Sequence, residues 1–159
     1  MPLSLHDYRK KLIIADGDWR AELAVLPIMP MLVRTTGDYR EGQVRDWFPW
    51  EDNLVAVELP GREVARLLDI ARDEAAREAE GLPARPGQFR FVAGGAPEGR
   101  VHGAPIVGNA VYRVAISELL LGNADLVAPL KAARPAERYG PLSEEVLASL
   151  RAAAASRWP

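Results

Sequence analysis

Residues 32–69 read LVRTTGDYREGQVRDWFPWEDNLVAVELPGREVARLLD, and this stretch decides the fold. Asn53 to Leu59 predicts a strand: Val55, Val57 and Leu59 share one face, and Leu54, Ala56 and Glu58 the other. Only Glu58 is charged, so the strand is expected to be buried on most of both faces. Pro60-Gly61 predicts a turn. Residues 62–80 then predict a helix, with Val64, Leu67, Leu68, Ala71 and Ala75 on one stripe and Arg, Asp and Glu elsewhere. Gly81 ends it, and Pro83 and Pro86 mark a loop.

Upstream, residues 22–33 are nearly all apolar but carry Pro27 and Pro30, which predicts a buried strand, a break and a second extended piece. Thr35 to Asp38 reads as a turn, and residues 42–47 as a short helix that stops near Pro49. Residues 4–14 form an expected first helix with Ser4 as its cap, followed by an Asp16-Gly17-Asp18 turn.

Downstream, Gln88 to Val92 predicts a strand, and residues 93–97 a turn or tight loop. The Gly94-Gly95 pair either turns the chain or presents backbone N–H groups to an anion. Val101–Val107 and Val111–Ile116 are expected to pair around Gly108-Asn109, with Tyr112, Val114 and Ile116 on one face. Ser117 is expected to cap a short helix over 118–122. A loop over 123–131 then passes into a helical turn, 132–142 is a proline-containing connector, and Ser143 caps a last helix carrying Val146, Leu147 and Leu150. Roughly five strands and four or five helices without strict alternation point to the α+β class with a mixed sheet.

With 159 residues, the chain suits one domain with a sizeable core. Its 48% apolar and 26% charged residues read as an ordinary soluble globular protein. A net charge of −2 gives no global attraction to nucleic acid or an anionic membrane. No apolar run reaches the roughly 18 residues that span a bilayer. The run Leu12 to Ala15 is too short for a signal peptide, so the expected location is cytoplasmic.

The absence of cysteine excludes disulfides, thiolate nucleophiles and thiolate metal sites. Two histidines, His6 and His102, far apart in sequence argue against a histidine-based metal site and read as surface or satisfied residues. Neither a dinucleotide-binding nor a P-loop glycine pattern is present, and no nucleophile elbow occurs. Catalytic residues and metal ligands are therefore not assigned.

The binding candidates lie in the quoted stretch and near residue 125. Trp47, Phe48 and Trp50 crowd one loop beside Pro49. An indole either stacks on a base, worth about 1–3 kcal/mol per base, or plugs the loop into the core. Trp50, beside Glu51 and Asp52, is the ring for a ligand face; Trp47 and Phe48 read as plugs. Arg34 precedes a Thr-Thr-Gly turn, where its guanidinium would grip a phosphate or carboxylate, or pair with a nearby acid. Asp125 would accept hydrogen bonds from a ribose or base, or cap the helix that follows.

In order and spacing, AELAVLPIMPMLVR, DYREGQVRDWFPWEDNLVAVELPGREVARLLD, FRFVAGG, VYRVAISELLLGNADLV and SEEVLASLR resemble the C-terminal domain of the 5′-nucleotidase family. That family includes UDP-sugar hydrolases and 2′,3′-cyclic phosphodiesterases. The resemblance covers about residues 21–152, leaving 1–20 as an N-terminal helix and turn and 153–159 as a tail.

The resemblance implies a mixed sheet packed with helices and a module that binds the nucleoside part of a substrate. In the family, a separate two-metal phosphoesterase domain performs the hydrolysis. Arg34 stands at the family's phosphate-binding arginine, Trp50 at an aromatic that stacks on the base, and Asp125 at an acid that touches the nucleoside. Leu119 replaces the second stacking phenylalanine. Met29, Pro30 and Met31 replace the asparagine and glycines before the arginine, Asn123-Ala124 a Gly-Gly pair, and Leu126 the glycine after the acid.

The implied function is nucleotide recognition in nucleotide catabolism, without activity alone. Divalent metals would belong only to a separate metallophosphoesterase partner. The alternative is a structural or oligomerisation domain that keeps the fold without the ligand site.

Overall fold

The computed structural model describes residues 21–27, 42, 45, 52–83, 91–94, 99–145 and 147–148. In chain order the elements are β1 (Leu23–Pro27), β2 (Asn53–Pro60), α1 (Gly61–Ala79), β3 (Phe91–Gly94), β4 (Arg100–Val101), β5 (Ala104–Pro105), β6 (Val111–Ser117), α2 (Glu118–Gly122), a 3-10 helix (Ala128–Ala132) and β7 (Arg134–Pro141). Residues 142–145 and 147–148 are helical, as are Gly42 and Arg45 in the stretch expected to form a short helix.

Among the described residues, five strands form one sheet in the order β3-β1-β6-β2-β7, and β4 pairs with β5 in a second, two-stranded sheet. The β1–β6 pair is parallel; β1–β3, β6–β2 and β2–β7 are antiparallel. The sheet is thus mixed and packed with helices, the α+β architecture expected from the pattern of elements.

β2 owes its central place to its alternation. Val57 and Leu59 are fully buried on one face, Leu54 and Ala56 on the other, and Glu58 is exposed. Its neighbour β6 sends Tyr112, Val114 and Ile116 into the same core as Val57 and Leu59. Leu23 and Val25 of β1, Phe91 of β3, Val101 of β4, Val64 and Leu67 of α1, Leu120 of α2, and Val127 and Leu130 around the 3-10 helix complete that core. Each fully buried Leu, Val or Phe contributes about 1.5–3 kcal/mol.

α1 lies across β3 and the 3-10 helix. Its inward stripe runs through Val64, Leu67, half-buried Ala71 and buried Glu74, whereas Ala75, expected on that stripe, is exposed. Ideal helical geometry permits either residue to follow Ala71 inward. The Arg66–Glu63 and Arg72–Asp69 pairs occupy the exposed side at i,i+3 spacing. No helix among the described residues is long and apolar enough to cross a membrane.

The end of α1 follows from Gly81. Its φ of 74° lets its N–H reach the carbonyl of Glu78 at 3.0 Å and lets the Leu82 N–H reach that of Arg77 at 2.9 Å. This is the paired closure that satisfies the last carbonyls of a helix. Gly81→Ala forces a side chain into that left-handed conformation and is expected to cost about 1 kcal/mol. A lower urea midpoint with an unchanged slope would register this loss.

Several local expectations give way to long-range pairing. Pro60-Gly61 is a strand-to-helix junction, with Pro60 ending β2 and Gly61 opening α1. Ala93 and Gly94 belong to β3 because β1 offers partners in Val25 and Ala24. The expected hairpin around Gly108-Asn109 does not form. The turn is instead His102-Gly103, at φ 51° and 77°, between β4 and β5. Positive φ at both central residues suits a tight two-residue hairpin. β6 pairs with β1 and β2 instead of the preceding segment.

The 132–142 connector contains β7, whose alignment on β2 shifts between Leu54 and Val55 and between Ala56 and Val57. A bulged, proline-bearing strand is tolerated at a sheet edge, where a missing donor costs least. Ser143 lies inside the terminal helical segment, which is already helical at residue 142.

Candidate functional site

The best-connected polar group among the described residues near the aromatic loop is the Asp52 carboxylate. Asp52 immediately precedes β2 and is 7% exposed. Its Oδ1 accepts the Asn53 N–H at 2.9 Å and the Leu119 N–H at 3.0 Å. Its Oδ2 accepts the Ser117 hydroxyl. Ser117 in turn accepts the Leu120 N–H at 3.5 Å and is the N-cap of α2, as expected from sequence. The first turn of α2 is therefore held by both a serine and a carboxylate, and a negative charge is favoured at that end of a helix.

The same residue faces the chain's last described helix. The Asp52 carbonyl accepts the Leu142 N–H at 2.8 Å. Arg45, before the aromatics, bonds Glu144 through Nε at 2.9 Å. Arg45 and Asp52 are thus both bonded to residues 142–144, and Asp52 is also bonded to α2. Around it, Glu118 accepts from Asn53 Nδ2 at 2.9 Å and from Arg138 at 3.3 Å. These outer pairs are exposed and contribute little individually.

Leu119 is half-buried, gives its N–H to Asp52 and receives Asn123 Nδ2 on its carbonyl at 2.7 Å. Asp125 is different. Its side chain is 97% exposed and faces Lys131 at 3.6 Å. It does not cap the helix that follows: the 3-10 helix begins after Val127, without a side-chain cap. Arg34, Trp47, Phe48 and Trp50 lie outside the described residues. Asp52 links the start of β2 to the element carrying Leu119, while Asp125 sits beyond the end of α2.

On β6, Arg113 forms the other polar junction. Its guanidinium donates to Glu137 and, at 3.2 Å, to the Tyr139 hydroxyl of β7. The hydrogen bond to Tyr139 raises its pKa from the ordinary arginine value; burial opposes this, and the charges of Tyr139 and Glu137 reinforce it. The side chain, 28% exposed, stays cationic and pins the edge strand to the sheet.

Sequence reasoning passed over Asp52 and Ser117 as a pair because 65 residues separate them. The only local signal was an acid between an aromatic loop and a buried strand. His102 is exposed in its turn, while His6 lies outside the described residues. Gly94 is paired with Ala24 in the sheet, and Gly95 is not described. Among the described residues no group of three or more His, Asp or Glu side chains is placed to hold a metal ion.

No family model and no curated protein matches the sequence. Solved structures do resemble its fold. A protein assigned as a 5′-nucleotidase from Staphylococcus aureus, solved in complex with α-ketoglutarate, superposes with a TM-score of 0.59 at 10% identity, covering 91% of this chain and 32% of its own. The 5′-nucleotidase precursor from Thermus thermophilus gives 0.52 at 18% identity, covering 82% of this chain and 28% of its own. The NAD nucleotidase of Haemophilus influenzae gives 0.51 at 16% identity, covering 79% and 25%. The chain has a 5′-nucleotidase-like fold and spans about a quarter to a third of the length of these proteins.

Proposed function

We propose that this chain is a nucleoside- or nucleotide-recognition module of the 5′-nucleotidase type, corresponding to the family's C-terminal domain and without activity of its own. Hydrolysis of a phosphate ester would fall to a separate metallophosphoesterase unit that supplies the divalent metals. Structural neighbours named as 5′-nucleotidases and a NAD nucleotidase support this reading. One observation carries it furthest. The Asp52 carboxylate, at the start of β2, accepts the Leu119 N–H, so the strand that follows the aromatic loop in sequence and the start of α2 meet at a single buried group. Trp50 and Leu119 would form the two walls around a base, Arg34 would hold a phosphate, and Asp125 would reach the sugar.

Calorimetric titration with nucleosides and nucleoside monophosphates tests the proposal. Saturable heat is expected, with affinity reduced roughly tenfold in Trp50→Ala if one stacking contact of about 1–3 kcal/mol is lost. Absence of heat in the parent chain, or equal affinity in Trp50→Ala, would count against it.

The second reading is a structural or oligomerisation domain that retains the fold. The exposed Asp125–Lys131 pair favours it, because this acid is already engaged away from the buried core. Under that reading the parent gives no heat with any nucleoside, and light scattering reports a stable oligomer.

A further inference from the structure

We propose that β7 is a strap that lifts from β2 while the rest of the sheet stays folded, and that Arg113 is the positioning residue that holds it down. This inference is independent of the recognition reading.

β7 is fastened firmly at its ends and loosely between them. Leu130, before it, and Leu142, directly after it, are each 2% exposed. The Leu142 N–H also reaches the Asp52 carbonyl at 2.8 Å. Between these anchors, residues 134–138 are all exposed. Pro135 and Pro141 have no N–H to give, and the alignment on β2 slips twice. Among the described residues no strand covers the outer side of β7. Gly140, two residues before Leu142, holds a φ of 142°, a conformation that a side chain disfavours and that suits the bend of a strap. Sparse burial and solvent-exposed backbone bonds mark segments that open at less cost than the whole fold.

The middle of the strap is held by a side chain from two strands away. β2 lies between β6 and β7. Arg113 therefore has about 9–10 Å of sheet to span. It crosses β2 between Ala56, which pairs with Glu137, and Glu58, which pairs with Arg113 itself. The small Ala56 side chain leaves room for that path. The guanidinium then donates to Glu137 and, at 3.2 Å, to the Tyr139 hydroxyl, so both acceptors lie on the strap.

β2 carries the readout for such an opening. Along a strand, successive residues direct their N–H and C=O groups to opposite neighbours. Two bonds at the ends of β2 fix the phase. The Gly61 N–H meets the Ala110 carbonyl on the β6 side, and the Asp52 carbonyl meets the Leu142 N–H on the β7 side. Val55, Val57 and Leu59 thus face β6, and Leu54, Ala56 and Glu58 face β7. A lifted strap frees the second set and leaves the first covered.

Native-state hydrogen exchange of the full chain, followed by NMR, tests this. In the parent, Leu54, Ala56 and Glu58 are expected to show protection factors at least about tenfold below those of Val55, Val57 and Leu59. Their exchange is also expected to depend less on urea than that of Leu67 in the core of α1, because a local opening exposes little surface. Arg113→Gln is expected to lower the β7-facing set by about a further tenfold relative to the β6-facing set, since bonds to a charged group are lost. Glu137→Gln is expected to move the same three amides in the same direction by less, because the Tyr139 bond remains.

Uniform protection along β2 that tracks Leu67 would overturn the strap, since β7 would then part only when the whole chain unfolds. Alternation in the parent with an equal fall of both sets in Arg113→Gln would overturn the holding role and leave Arg113 as a general stabiliser. Where Arg113→Gln does not fold, Glu137→Gln decides: a fall confined to Leu54, Ala56 and Glu58 supports the role, and an equal fall or none overturns it.

Discussion

Gly61→Ala is expected to destabilise the protein by about 2–3 kcal/mol, the reverse of the usual effect of alanine in a helix. A Cβ at this position would lie 1.9 Å from the Val107 carbonyl oxygen, 2.8 Å from its carbon and 3.0 Å from the Tyr112 ring. The obstacle is backbone, so no rotamer change removes it. The obstructing loop also closes the start of α1: Gly61 N–H reaches the Ala110 carbonyl at 2.8 Å, and Arg62 N–H that of Gly108 at 3.0 Å. Tyr112 holds the loop from below, its hydroxyl accepting the Val107 N–H at 2.9 Å.

Room for the methyl therefore comes only by lifting the loop from the helix and from Tyr112. For a chain of this size the loss corresponds to a fall in melting temperature of roughly 4–12 °C. Gly122→Ala is the internal control, since nothing lies within 4 Å of its added Cβ. It is expected to be neutral or to stabilise by up to about 1 kcal/mol. Equal melting temperatures for the two variants would show that the 107–110 loop does not seat on α1.

Asp52→Ala is expected to cost about 2–4 kcal/mol in denaturant unfolding, with an unchanged slope. The variant strands two backbone N–H donors and the Ser117 hydroxyl in a region where the aspartate itself is 7% exposed. Bonds to a charged acceptor contribute more than neutral ones, and a buried donor left without a partner adds its own desolvation cost. Asp52→Asn is expected to cost less, about 1 kcal/mol, because its Oδ1 can still accept both N–H groups and its Nδ2 can donate to the Ser117 oxygen, although the Ser117 proton loses its acceptor. A loss under about 1 kcal/mol in the alanine variant would mean that water replaces the carboxylate and that the site is more open than its burial indicates.

The elements read correctly from sequence are those whose signals are local. β2 followed from Val55, Val57 and Leu59 alternating with Leu54, Ala56 and Glu58, and both apolar sets are largely buried in the sheet. α1 followed from Val64 and Leu67 at helical spacing and from Gly81 at its end. Ser117 was legible as a cap because its partner is three residues away. Glu74 was not, since its helical phase competes with Ala75 and only packing selects one. β7 was hidden by Pro135 and Pro141, which suit a connector equally well until β2 provides an edge to pair with.

The candidate site divides in the same way. Asp125 was singled out as a loop acid and Leu119 by resemblance, yet burial separates them: Leu119 is half-buried and hydrogen-bonded to Asp52, Asp125 exposed beside Lys131. Arg34 and Trp50 remain the sequence's contribution to the site. Asp52 is the structure's.

By itself, the sequence determined the α+β class, the central strand, the long helix and the cap of α2, because side-chain periodicity and capping act over a few residues. Only the tertiary structure decided the strand order β3-β1-β6-β2-β7, the hairpin at His102-Gly103, the loop seated on Gly61 and the meeting of Asp52 with Ser117 and Leu119. The strand order and the Asp52 cluster join groups tens of residues apart, the Gly61 contact joins segments 46 residues apart, and the hairpin's place depends on where β6 finds its partners. Their physical cause is competition among hydrogen-bond and packing partners in three dimensions, which no local window of sequence contains.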